Sequence, residues 1–209
     1  ASVFAIAAET SVSDLSSIDS SEIYRIRIGL TPDCQSLAPP LLEFVKQFDG
    51  TVSICFMRSQ EFSIDGILKV IESLSDIATI SEFSIFDSAG GMLPRTVQMI
   101  FSKIASESDT ALGFHGHNNL GLSVQNCLTA FESGATFLDC TCRGVGRSAG
   151  NAPIELVAAS LSKLGVVGRI EVENLVTFAE RFPELEAEKS MKAPRNSLLG
   201  LDDVHSGRG

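Results

Sequence analysis

Two histidines stand two residues apart in the stretch Gly113-Phe114-His115-Gly116-His117-Asn118-Asn119-Leu120-Gly121. Residues 111–114 lead in with apolar side chains, and residues 121–131 carry a helical pattern, so the pair falls at the end of a strand. Strand side chains alternate, which puts positions i and i+2 on one face, about 7 Å apart along the backbone. Two imidazoles on one face can converge on a single divalent ion, imidazole being the commonest neutral metal ligand. The chain has three histidines and two of them are here. The competing reading is a pair of core or surface histidines with no ligand, and the spacing alone leaves both open.

Other residue types in this chain could do chemistry. Asp87 and Ser88 open a turn, Asp-Ser-Ala-Gly-Gly, after an apolar run, and Asn151 closes a glycine-rich loop that begins at Gly144. Arg25 and Arg27 alternate on one strand and share a face. Pointing inward, Arg27 would balance an anionic substrate; pointing outward, both would snorkel at the surface, which is the preferred reading. Glu9, at a strand end, is open in the same way. Five cysteines are an odd number without C-x-x-C spacing, which fits a reduced, cytoplasmic-type compartment. Cys140 and Cys142 flank Thr141 on an expected strand, where a disulfide between them would be strained. They read as small apolar strand fillers, with a zinc site as the alternative.

The elements that must position these groups alternate regularly. Residues 3–8 and 23–30 read as strands, and 35–48 as a helix whose Pro39 and Pro40 suit a first turn and move its start to near Ala38. Residues 51–57 are a third strand. Ser63 then caps a helix with Ile64, Ile67, Leu68, Ile71 and Leu74 on one face. A strand at 82–86 and a helix at 94–105 follow, then a strand at 111–116 with its helix. A strand at 136–142 with a helix at 153–164 completes the series, and 170–182 is an amphipathic helix. Such alternation means parallel strands joined by right-handed crossovers, an α/β fold. Six βα units do not close an eight-stranded barrel. The expected division is a partial barrel over 1–168, with the last helix and a charged tail over 169–209.

Composition narrows the classes. A chain of 209 residues, 44% hydrophobic and 20% charged, is that of an ordinary globular protein. A formal charge of −10 with no cluster of Lys and Arg argues against a nucleic-acid surface. No apolar run approaches the roughly 20 residues that span a bilayer, and the first residues lack the basic segment of a signal peptide.

Taken together, GFHGHNNLGLSVQNCLTAFESGATFLDCTCRGVGRSAGNAPIE over 113–155 closely resembles the metal-dependent pyruvate aldolase/acyltransferase barrels. That superfamily includes 4-hydroxy-2-oxovalerate aldolase, the isopropylmalate and homocitrate synthases and hydroxymethylglutaryl-CoA lyase. The run 85–94, IFDSAGGMLP, resembles the family's preceding strand end. Asn118-Asn119-Leu120 and Ala149-Gly150-Asn151-Ala152-Pro153 look most like the aldolase branch, since the synthases tend to carry acidic residues after the second histidine. The resemblance implies an incomplete (β/α)8 TIM barrel of about six βα units, family strands three to eight, plus a C-terminal helix. The first two strands and their Arg-Asp-Gly motif are missing, so the chain reads as a fragment of a longer product.

The resemblance also implies roles. His115 and His117 would ligate the metal, with His115 adjoining the substrate. Ser88 would receive the pyruvyl carboxylate, unless it is only a turn serine capping the next helix. Asn151 would ligate or line the metal site, unless it serves a left-handed turn. Asp87 would orient the site or cap its loop, and His205 would stand where the aldolases carry a tyrosine unless the tail is merely solvated. The metal implied is Mn²⁺, with Mg²⁺ or Co²⁺ as alternatives. The expected activity is aldol cleavage of a 4-hydroxy-2-oxo acid through a metal-bound pyruvate enolate. The family's ligating aspartate and acid/base group lie on the missing first strand, so this chain alone is expected to be inactive. Alternatives are an acyl-CoA-dependent synthase and a non-catalytic barrel remnant. The partners implied are a small 2-oxo acid and either further copies of the chain or a partner dehydrogenase, without nucleic acid or membrane.

Overall fold

The computed structural model describes residues 2–7, 23–182 and 200–201. Glu9, His205, the link over 8–21 and most of the tail over 185–209 lie outside the described residues. Six strands form one sheet in sequential order: β1 (Ser2–Ala7), β2 (Ile23–Leu30), β3 (Thr51–Phe56), β4 (Ile80–Asp87), β5 (Leu112–Gly116) and β6 (Ala135–Asp139). The ladders β1–β2, β2–β3 and β3–β4 are parallel, with Ile26 opposite Val52 and Ile54 opposite Phe83. Sequential parallel order is what right-handed βα crossovers produce. Among the described residues no ladder returns β6 to β1, as an incomplete barrel requires.

Helices α1 (Pro39–Gln47), α2 (Ile64–Leu74), α3 (Pro94–Glu107), α4 (Ser123–Glu132), α5 (Ile154–Lys163) and α6 (Arg169–Glu180) follow the strands in turn. Local chemistry sets their starts. Ala38 precedes the Pro39-Pro40 first turn of α1, and the Ser63 hydroxyl accepts the Gly66 N–H at 3.1 Å to cap α2.

The chain divides into two compact units, residues 1–86 with 103–113 and residues 87–102 with 114–209. In the first, β3 is buried on nearly its whole length, and Phe56 packs against Phe62 (ring centroids 5.5 Å) and Phe83 (6.4 Å). Its other face carries charge. Glu82, 1% exposed, takes Arg25 Nη1 at 2.9 Å and Arg27 Nη2 at 3.7 Å, and accepts the hydroxyls of Ser53, at 3.1 Å, and Ser84. Arg27 also donates to the Ser84 hydroxyl and lies 5.3 Å over the Phe86 ring. Arg25 and Arg27 therefore point inward, correcting the preference for surface arginines: a buried carboxylate two strands away, on β4, supplies what two strand-borne guanidinium groups need.

In the second unit Phe101 meets Phe114 edge-on at 6.0 Å, and Ala130, Ala152 and Cys127 are also fully buried. Here two expectations change. The sixth strand ends at Asp139, and Cys142 belongs to a 3₁₀ turn, Cys142–Gly144, in which Arg143 is left-handed (φ 55°). Cys140 and Cys142 are thus not strand fillers. Helix α6 buries only Ala179 and exposes Ile170, Val176 and Phe178, so its expected apolar face is largely bare.

Candidate functional site

The second unit gathers the ends of β4 and β5 and the loop 140–151. Leu112 and Phe114 anchor β5 in the core, and His115 and His117 follow at its carboxyl end with ring centroids 5.3 Å apart and planes at 72°. Rings this close could present nitrogen atoms to one divalent ion. Main-chain bonds hold this arrangement. The His117 N–H donates to Asp87 O (3.2 Å), Asn118 N–H to Gly150 O (2.9 Å) and Leu120 N–H to Gly90 O (3.2 Å), while His117 and Asn151 form an antiparallel bridge. Gly90 sits at φ 63°, and a Cβ there would stand 2.8 Å from the His117 carbonyl.

The two asparagines after the histidines have structural duties. Asn118 Oδ1 accepts the Ser123 hydroxyl at 2.8 Å and its N–H at 3.2 Å, fixing the start of α4. Asn119 Oδ1 accepts the Ala149 N–H at 3.1 Å and ties the glycine-rich loop to the histidine loop.

The electrostatics favour lone pairs over protons. The His117 pKa is lowered to about 4, first by burial and then by the neighbouring His115; the Arg147 and Gly150 carbonyls pull the other way, and the Arg147 charge adds a smaller lowering. A neutral imidazole at physiological pH is the form that donates to a metal. His117 Nδ1 and Asn151 Oδ1 are both buried with no hydrogen-bond partner, although Asn151 Nδ2 donates to Val145 O at 3.2 Å. Buried polar atoms are mostly satisfied; Asn126 Oδ1 and the Gln60 amide also lack partners, and what sets this pair apart is that its two atoms lie on bridged residues. Nitrogen and carboxamide oxygen donors suit a divalent ion, and these residues fit one. Among the described residues, no group of three or more His, Cys, Asp or Glu side chains could hold a metal, so these residues could supply only part of a coordination set.

The structure thus places His115 beside His117 and bridges His117 to Asn151. Asn151 is not left-handed; Gly150 (φ 84°) and Ser148 (φ 55°) make that turn, which removes the backbone explanation for Asn151. Ser88 is half-buried in the turn directly after β4, whereas α3 begins at Pro94, so Ser88 does not cap that helix. Asp87 combines two roles: its carboxylate accepts the Gly91 and Met92 N–H groups at 3.0 and 3.1 Å, and its carbonyl holds the His117 backbone. The zinc reading finds no third ligand: among the described residues no group of three or more His, Cys, Asp or Glu side chains could hold a metal. Reading the sequence missed Asp139, whose Oδ2 lies 3.4 Å from His115 Nδ1. Its signal was its place at the carboxyl end of the strand next to the histidines.

Comparison with known proteins agrees. The HMGL-like family profile matches residues 7–181. A 4-hydroxy-2-oxovalerate aldolase from Salinispora arenicola is 45% identical over 48% of this chain and 29% of its own length. One from Nocardia farcinica is 31% identical over 88% of this chain and 53% of its own. The chain spans about half or less of the length of such relatives. Among solved structures, the N-terminal domain of an aldolase candidate from Bacteroides vulgatus superposes with a TM-score of 0.83 and 26% identity, covering 99% of this chain and 70% of that one. The HMG-CoA lyase of Bacillus subtilis gives 0.70 at 18% identity, over 93% and 73%, and supports the fold. A profile matched along most of the chain, on a partial parallel barrel with the histidine pair at a strand end, means that the chain belongs to the HMGL-like family.

Proposed function

We propose that this chain carries part of the active site of a divalent-metal-dependent lyase that breaks or forms a carbon–carbon bond beside the keto group of a 2-oxo acid, of the 4-hydroxy-2-oxo acid aldolase type. The observation that carries the reading is the pair of orphaned lone-pair atoms, His117 Nδ1 and Asn151 Oδ1, beside the His115 ring. Relatives named 4-hydroxy-2-oxovalerate aldolase supply the substrate class. His115, His117 and Asn151 would hold the ion, with Mn²⁺ preferred over Mg²⁺ or Co²⁺ for a mixed nitrogen and oxygen set. When bound, the ion draws electron density from a keto oxygen and so acidifies the adjacent carbon. Burial keeps His117 neutral and available as a donor. The Ser88 hydroxyl receives the substrate carboxylate, and Asp87 keeps the Ser88 turn and the His117 backbone in register. No general base stands among these groups, so turnover by this chain alone is expected to be slight.

Calorimetry with Mn²⁺ tests the site. The chain binds, His117→Ala weakens binding about 100-fold, and Asn151→Ala weakens it about tenfold. No difference between the variants and the parent would favour a non-catalytic remnant. Brisk exchange of pyruvate methyl protons with deuterium, followed by NMR, would overturn the expected inactivity. Release of free thiol from acetyl-CoA in the presence of a 2-oxo acid would point to the synthase class.

A further inference from the structure

We propose that Asp139 is a positioning residue for His115: its carboxylate holds the imidazole in the tautomer that carries the proton on Nδ1, leaving the Nε2 lone pair for an electrophile. The inference deepens the proposed function and rests on it for the role of His115 as a ligand; the tautomer itself does not depend on a metal.

The argument starts from strand geometry. His115 lies on β5 and Asp139 is the last residue of β6, the next strand in the sheet. Parallel neighbours present their carboxyl-end side chains at one level. The side chains stand 3.4 Å apart, Asp139 Oδ2 to His115 Nδ1, and both are partly buried, 27% and 20% exposed. An ionised carboxylate only accepts hydrogen bonds. A neutral imidazole has one N–H, so an acceptor facing Nδ1 selects the form with the proton there and leaves Nε2 as the basic nitrogen. Such a carboxylate also raises the donor strength of the ring and fixes its orientation. The arrangement differs from that of His117, whose Nδ1 is buried without a partner. One imidazole is aimed by a carboxylate and the other by main-chain bonds around it, so each ring has its own means of orientation.

The β6 boundary strengthens this. The strand stops at Asp139, and the chain then turns, with the Thr141 N–H donating to Ala152 O at 3.0 Å and the Ile154 N–H to Thr141 O at 3.0 Å. Asp139 is thereby held from both sides, by the strand before it and the anchored turn after it.

The test is ¹⁵N NMR of the metal-free chain labelled in histidine, at pH 8, with the His115 signals assigned by His115→Gln. The parent should show a pyrrole-type Nδ1 and a pyridine-type Nε2 at His115. Asp139→Asn, an isostere chosen to leave the fold intact, should shift this toward the other tautomer, and Asp139→Glu should restore it in part. In calorimetry with Mn²⁺, Asp139→Asn should weaken binding about tenfold, with partial recovery in Asp139→Glu. A pyridine-type Nδ1 in the parent would overturn the proposal without any variant, as would a His115 tautomer unchanged in a folded Asp139→Asn. Failure of the parent to bind Mn²⁺, with the tautomer responding as expected, would sink the proposed function while upholding the role of Asp139.

Discussion

Two polar clusters in this chain invite comparison. In the first compact unit Glu82 is buried among Arg25, Arg27, Ser53 and Ser84, and both of its oxygens are engaged. In the second, His115, His117 and Asn151 come together with two buried acceptor atoms left over. The first cluster is charge-balanced: Glu82 faces both guanidinium groups and two hydroxyls of the same chain, which is how charge survives burial. The second is open, and an unanswered buried lone pair is tolerated where something outside the chain answers it. The burial of polar groups therefore does not mark a functional site by itself, and neither does a lone orphan such as Asn126 Oδ1; donor atoms gathered on adjoining side chains beside a second imidazole do.

If this contrast is right, substitutions in the two clusters have opposite signatures. Glu82→Ala removes the carboxylate that two partly buried guanidinium groups share and should cost about 3 kcal/mol in chemical denaturation, with Mn²⁺ affinity unchanged. Parallel loss of metal binding would break the comparison. Next in size is a pH effect in the metal-free chain. Because the folded His117 pKa lies near 4, below the ordinary 6.5, the unfolded chain takes up a proton first as pH falls. Stability is full above pH 6.5 and declines toward pH 4, by on the order of 3 kcal/mol. His117→Gln should flatten that part of the profile, whereas Glu82→Ala should not. Asn151→Asp adds a charge-assisted donor to an incomplete set and should tighten Mn²⁺ binding about tenfold, worth roughly 1.4 kcal/mol; weaker binding would argue against Asn151 as a ligand. The smallest effect is that of Ser53→Ala, which removes one hydrogen bond to Glu82 and should cost about 1 kcal/mol with no change in metal affinity.

Much of the scaffold was legible in the chain itself because its signals are local. Strand β2 has the limits its apolar alternation predicts, Pro39 and Pro40 mark the opening of α1, and Ser63 caps α2. The errors have a common origin in long-range or conformational facts. Cys140-Thr141-Cys142 resembles strand continuation, but a left-handed Arg143 turns the chain into a 3₁₀ turn. Arg25 and Arg27 looked like surface residues because Glu82, their partner, is remote in sequence and visible only after the strands pair. Asp139 was missed, since its proximity to His115 depends on which strands are neighbours. The histidine pair and Asn151 were found through their motif, and the anomaly of their unmatched atoms needed coordinates.

Gly90 and Gly121 share a positive φ, yet their surroundings differ sharply: backbone atoms of His117 and Asn119 crowd the first, and nothing lies within 4 Å of the missing side chain at the second. Substitution by asparagine, which tolerates this backbone region, should pass almost unnoticed at position 121. At position 90 even a methyl group would wedge the loop after β4 away from the segment bearing the imidazoles. The spacing of the two rings thus depends on a hydrogen atom, and evolutionary freedom along this edge of the protein ends at that atom.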